Sequence, residues 1–167
     1  MNPLQERYSE EIAQVLSKYP ADQKRSAVMP LLYIAQREHG YVSREQFAQI
    51  AEILEISATD VAEILGFYTL YHDKPEGKYR LQVCNDLPCA LRGADQFLEG
   101  VCDHLGVKPG GTTQDGLVTV EAVMCLAACH RAPMFQVQSS EGIAYHEDQT
   151  VESAARLVDS WRATEVE

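Results

Sequence analysis

The chain has 167 residues, 46% of them apolar and 23% charged, with a net charge of −11, which suits one compact domain or two small units and excludes wholesale disorder. Residues 1–77 carry 7 basic and 12 acidic groups and residues 78–167 carry 7 and 13, so the acidity is shared and nucleic acid is not an expected partner. No apolar run reaches the roughly 18 to 20 residues of a membrane span. The opening MNPLQERYSEEIAQVL has neither secretory-signal nor transit-peptide character, so a cytoplasmic protein without direct membrane insertion is expected.

The first 70 or so residues carry a helical period. ERYSEEIAQVLSKY places Ile12, Val15, Leu16 and Tyr19 on one face, with Pro20 as its stop. A second helix is expected from about Lys24 to Gly40, with Val28, Leu31, Leu32 and Ile34 inward, Pro30 kinking its start and Gly40 as its C-cap. Ser43 and Gln46 form a capping box before REQFAQIAEIL, whose Phe47, Ile50, Ala51 and Leu54 make an apolar stripe. Ser57 and Asp60 open a last helix, ATDVAEIL, which closes at Gly66. Turns this short fold the helices back on one another as a small bundle. A helix-turn-helix reading fails because ATDVAEIL offers no Lys or Arg to phosphates or guanines.

From Lys78 the period changes. KYRLQVC alternates as a strand, with Tyr79, Leu81 and Val83 on one face. LRGADQFLEGVCDHLG follows as an amphipathic helix with Leu91, Ala94, Phe97, Leu98, Val101 and Leu105 inward. After the KPGGTTQDG loop comes a strand, GLVTVEAV; MFQVQSSEGIAYHE reads as two strands joined at SSEG, and DQTVESAARLVDSW as a closing helix. The expected class is α+β: an N-terminal helical bundle over residues 1–75 followed by a thioredoxin-like α/β domain over 76–167, joined within YHDKPEGKY.

All five cysteines lie between residues 84 and 129. Cys102, in sequence with Leu98, Val101 and Leu105, reads as a buried, inert thiol. The others form two pairs, Cys84-x4-Cys89 and Cys125-x3-Cys129, each at a strand end. Residues five apart on a helix are rotated by about 140°, and Pro88 disfavours helix at its predecessor, so Cys84 to Cys89 is expected to be a wrapped strand-to-helix loop. Cys125 to Cys129 suits one helical turn or a tight loop whose LAA lets the backbone approach the sulfurs. Neither pair has the C-x-x-C of a dithiol motif, and both gaps are wider than the usual zinc knuckle. A C-x4-C opening occurs in plant-type 2Fe-2S proteins. On spacing, a 2Fe-2S cluster leads, with zinc and a dithiol still open.

The blocks LLYIAQREHGYVS, GFYTLYHDKPEGKYRLQVC, C-x4-C-x-LRGA and CLAACHRAPM, in this order, resemble the thioredoxin-like 2Fe-2S ferredoxin subunits of respiratory complex I over nearly the whole chain. The resemblance implies that Cys84, Cys89, Cys125 and Cys129 ligate one 2Fe-2S cluster. It further implies single-electron exchange with FMN on a partner subunit that also binds NADH. The larger complex I peripheral arm is the implied host, at the cytoplasmic side of the inner membrane. Equivalent subunits serve NAD-linked hydrogenases and formate dehydrogenases. NDLP stands between the first two cysteines where relatives often carry small hydroxyl residues, and LAA replaces a frequent glycine between the others. Both departures bear on hydrogen bonding to sulfur rather than on ligation.

The chain offers no catalytic apparatus of its own; it is expected to take part in NADH oxidation as a subunit. It has no Gly-rich dinucleotide fingerprint, and PGG at 109–111 reads as a flexible loop. His72, His104 and His146 read as surface or loop residues. Arg92, His130 and Arg131 are the cations near the cysteines, and at least one is expected to raise the potential of a reduced, more negative cluster.

Overall fold

Asn2 accepts a hydrogen bond from the Gln5 amide, and Pro3 occupies a position whose N–H would have no helical partner, so α1 (Pro3–Arg7) forms at once. In the computed structural model, which describes residues 2–165, Tyr8 breaks the chain between α1 and α2 (Ser9–Leu16), so the first expected helix is two. A 3-10 stretch, Ala21–Ala27, takes the place of the expected helix start near Lys24. The α-helix proper, α3 (Val28–His39), begins four residues later than Lys24 and holds Pro30 in its first turn, where the missing N–H needs no partner. Gly40, at φ 78°, closes it with a 2.7 Å bond to the Gln36 carbonyl. Capping boxes at Ser43/Gln46 and Ser57/Asp60 open α4 (Arg44–Leu54) and α5 (Ala58–Phe67).

Ile12, Leu31, Leu32, Ile34, Ile50 and Val61 form the core of this first unit. Gln36 is buried beside them; its amide donates to the Leu70 carbonyl and its oxygen accepts from the His72 N–H, both at 2.8 Å. The Val42 amide donates to the His72 carbonyl at 2.8 Å. These bonds draw His72 into the interior, so that it is a loop residue, as one of the two expectations had it, but not a surface one.

The chain divides between Pro75 and Glu76 into two compact units. The second opens where a side chain has no room: a Cβ on Gly77 would lie 2.7 Å from the Thr119 nitrogen. Its sheet runs β2 (Gly111–Thr112), β3 (Val118–Val123), β1 (Tyr79–Cys84), β4 (Phe135–Ser139), β5 (Gly142–His146). β1 and β3 are parallel, with Leu81 opposite Val120 and Cys84 opposite Val123; the other pairings are antiparallel. β2 lies in the stretch expected to be a flexible loop, where Gly110 N–H bonds the Val120 carbonyl at 2.6 Å and begins an edge strand.

Alternation sends Leu81, Val83, Val118, Val120, Phe135 and Val137 to one face, where they pack on Phe97, Leu98 and Val101 of α7 (Ala94–Leu105) and on Ala154 and Val158 of α8 (Val151–Glu165). The other face is polar and cross-linked: Gln82 donates to Glu121 at 2.8 Å and Gln136 to Gln82 at 2.6 Å. Cys102 is buried in the apolar core, and burial pushes its thiol pKa up, in keeping with an inert role. Leu91 does not share that core. Gly93, at φ 90°, delays α7 to Ala94 and leaves Leu91 81% exposed. His104 is exposed, whereas His146 is half-buried with its ring stacked 4.9 Å from Phe135, not free at the surface. A five-stranded mixed sheet with helices packed on it is consistent with the thioredoxin-like α+β class.

Candidate metal centre

Because β1 and β3 are parallel, their carboxyl ends emerge at one edge and bring the two cysteine segments side by side. Cys84 ends β1, and Asn85 prolongs the pairing by one bond, from its N–H to the Val123 carbonyl at 3.1 Å. Asp86 then caps a short helix, α6 (Leu87–Ala90): its carboxylate accepts from Leu87 N–H at 2.9 Å, and its carbonyl accepts from Cys89 at 2.8 Å and Ala90 at 2.9 Å. Pro88 sits in that first turn, where proline is tolerated. The expected wrapped loop is therefore a capped turn of helix that places Cys89 wholly inside. Asp86 is a residue the spacing argument missed, although an Asp two residues before a proline is a legible helix start.

The second segment does not form a helical turn. Cys125 and Ala127 take positive φ, 38° and 60°, a region that costs a residue with a Cβ. A 3-10 turn over Cys129–Arg131 follows. The segment is then held from outside: the Met134 carbonyl accepts from Cys84 N–H at 3.3 Å, the Arg131 carbonyl from Asp148 at 2.7 Å and the Pro133 carbonyl from Gln149 at 2.8 Å. The Arg131 guanidinium pairs with Glu147 at 3.2 Å and Asp148 at 2.6 Å. Arg92 donates its Nε–H to the Ala132 carbonyl at 3.2 Å. His130 is exposed.

Three of the four expected cysteines meet. Cys84 and Cys89 are buried with Ala94, Ala128, Ala132 and Met134, and Cys129 packs half-buried against them. Burial, then the neighbouring Cys84 and Cys129 thiols, push the Cys89 pKa up to about 12. The thiol is thus protonated at neutral pH, and a metal ion taken up there displaces its proton. Cys125 is exposed and stands outside this buried group, on the left-handed part of its loop. All five cysteines are free thiols. Sulfur donors from two segments, three of them in one apolar recess, fit an iron–sulfur cluster, and by donor chemistry alone they also fit zinc.

The family model for thioredoxin-like 2Fe-2S ferredoxins matches residues 12–162, which include both cysteine pairs. The chain belongs to the thioredoxin-like 2Fe-2S ferredoxin family. Among curated relatives of this ferredoxin-family chain, an NADH-quinone oxidoreductase subunit of Rhizobium meliloti is 39% identical, the alignment covering 93% of this chain and 89% of the relative. NADH-quinone oxidoreductase subunit 2 of Thermus thermophilus is 40% identical, over 75% of this chain and 70% of the relative. A longer relative, an NADH-quinone oxidoreductase subunit of Mycobacterium bovis, is 36% identical, with 90% and 57% covered. Among solved structures, the NAD+-reducing NiFe hydrogenase in its air-oxidized state matches with a TM-score of 0.66 over 80% of this chain, at 15% identity. The chain spans only 23% of that hydrogenase chain, and the likeness is one of fold. Among the described residues no helix is long and apolar enough to cross a membrane.

Proposed function

We propose that the chain is the electron-transfer subunit of an NADH-quinone oxidoreductase of the complex I type, in which Cys84, Cys89, Cys125 and Cys129 hold one 2Fe-2S cluster beside a partner subunit that binds FMN and NADH. The observation that carries this reading is the meeting of Cys84, Cys89 and Cys129 at the carboxyl end of β1. The relatives at 36% to 40% identity, all named as subunits of that enzyme, supply the host. A bound 2Fe-2S group supplies one-electron storage, which a flavin that receives hydride and releases electrons singly requires.

The residues of this chain hold and shield that group. Ala94, Ala128, Ala132 and Met134 exclude water from the recess of Cys84 and Cys89. The two cysteine segments expose large apolar side chains: Leu87 is 70% exposed, Met124 and Leu91 81% each, and Cys125, next to Met124, is exposed as well. In a chain this acidic, exposed apolar side chains of this size suit cover by a partner rather than water. The helical bundle of residues 1–75 contains no cysteine and serves assembly into the peripheral arm, at the cytoplasmic side of the inner membrane. An equivalent place in an NAD-linked hydrogenase is the second reading; the hydrogenase likeness is confined to fold, so the quinone-linked enzyme is preferred.

Anaerobic purification from iron-replete cells tests the reading. A coloured protein with equal iron and acid-labile sulfide is expected, and it should capture the flavin-binding partner from its own host. A colourless preparation holding zinc alone would sink it. Removing residues 1–75 should leave a fragment that binds the cluster and no longer joins the complex.

A further inference from the structure

Arg92 and Ala132 each lie three residues beyond a cysteine of the recess, and each is tied by its backbone to that cysteine. The Arg92 amide donates to the Cys89 carbonyl at 3.0 Å, and the Ala132 amide donates to the Cys129 carbonyl at 3.4 Å. The Arg92 side chain joins these two turns, its Nε–H donating to the Ala132 carbonyl at 3.2 Å. A continuous path of hydrogen bonds therefore runs from Cys89 through Arg92 and Ala132 to Cys129. The backbone bonds from Cys84 to the Met134 carbonyl and from Asn85 to the Val123 carbonyl start from the first cysteine and its neighbour, not from Cys89.

From this geometry we infer that Arg92 is a positioning residue: it fastens the turn carrying Cys129 to the helix carrying Cys89, so that their sulfurs face one another. The inference rests on the reading of these cysteines as parts of one ligand set. Arg92 acts here as a donor to a neutral carbonyl of a buried residue, Ala132, and what the site draws from it is geometry. A glutamine side chain carries its amide nitrogen the same number of bonds from the Cα as the arginine Nε, without the charge. A lysine keeps the charge and sets its donor one bond further out. The two substitutions therefore separate placement from electrostatics.

The test compares Arg92→Ala, Arg92→Gln and Arg92→Lys with the unaltered full chain in three measurements. Alkylation of the metal-free protein by iodoacetamide is resolved by residue; loss of iron from the reconstituted protein to a chelator is timed; the midpoint potential of retained clusters is titrated. In Arg92→Ala, Cys129 should be alkylated and iron lost about tenfold faster, the scale of one lost buried hydrogen bond. Cys102, in a separate core, should be alkylated no faster. Arg92→Gln should recover most of the retention at an unmoved potential, and Arg92→Lys less. Unchanged alkylation and iron loss in Arg92→Ala would overturn the inference. So would rescue by lysine but not glutamine, accompanied by a shift in potential, because that pattern belongs to charge. If the unaltered chain takes up no iron and sulfide, the proposed function fails instead, and alkylation of Cys129 decides the role of Arg92 alone.

Discussion

From Asn85 to Gly93 the backbone closes largely on itself: the Asp86 carbonyl accepts from Cys89 and Ala90, the Leu87 carbonyl from Leu91, and the Cys89 carbonyl from Arg92. From Met124 to Met134 most of the fastening comes from elsewhere, through Cys84, Arg92, Asp148 and Gln149. The first segment is a capped helical turn with a buried cysteine at its centre, and the second a strained loop whose leading cysteine faces out. One cysteine pair is thus set by local sequence and the other by tertiary context. The difference has a chemical consequence: the buried end of the site excludes water from its thiols, and the exposed end leaves a thiol open to reagents.

The largest expected effect is in thiol reactivity. Burial, then Cys84 and Cys129, raise the Cys89 pKa to about 12. A raised thiol pKa favours the neutral form in the fold, so the linked stability is whole below the ordinary value near 9 and is lost as pH climbs from there toward 12. At pH 9 Cys89 stays protonated and buried, and alkylation of the metal-free protein should reach the exposed Cys125 far sooner. Equal rates at the two cysteines would erase the contrast between the segments.

Serine replacements sharpen it next. Cys89→Ser sets a hydroxyl in an apolar recess and removes a donor on the rigid side, so bound iron should fall to about a tenth or less. Cys125→Ser lies where solvent reaches, and a fraction of roughly a third or more should remain, as a serine oxygen or water takes the position. Iron and sulfide assays with EPR of the reduced protein read both. A smaller effect tests the cap: Asp86→Ala removes the acceptor for Leu87 N–H and should cost about 1 kcal/mol. Fluorescence of Trp161, the one tryptophan, stacked 4.2 Å from Tyr79 in the second unit, reports that loss as a lower denaturant midpoint. No change would mean that the first segment, too, is held from outside.

The same division explains what was legible in the sequence. The capping boxes at Ser43 and Ser57, the Gly40 C-cap and the alternation of Leu81 and Val83 are local signals, and they carried through to the structure. The inward course of His72 and the edge strand at Gly111 depend on bonds to other elements, to Gln36 and to Val120 of β3, and local period could not supply them. At the site, the spacing paired the cysteines, of which Cys84, Cys89 and Cys129 meet and Cys125 stands apart; the second segment is the tight loop that was one of its two expected forms, whereas Pro88 suggested a loop in the first segment where a proline inside the first turn allows helix. The partners of Arg131 lie sixteen and seventeen positions away, and no spacing rule names them.

Arg131 gives the smallest effect and the finest test of how the second segment is held. Arg131 was one of three cations of which at least one was expected to raise the potential of a reduced cluster, but two carboxylates face it, so the local sum is already negative. The pairs are half exposed, where an ion pair contributes about 0 to 1 kcal/mol and salt screens it. The backbone bonds from Asp148 to Arg131 and from Gln149 to Pro133 survive loss of the side chain. Arg131→Ala should therefore lower the denaturant midpoint by an amount equivalent to about 0.5 kcal/mol or less. High salt should reproduce most of that change in the unaltered protein, and the midpoint potential should stay within error. A clear fall in potential with the cluster retained would mean that the Arg131 guanidinium acts on the site through its charge rather than as a fastening of the second segment.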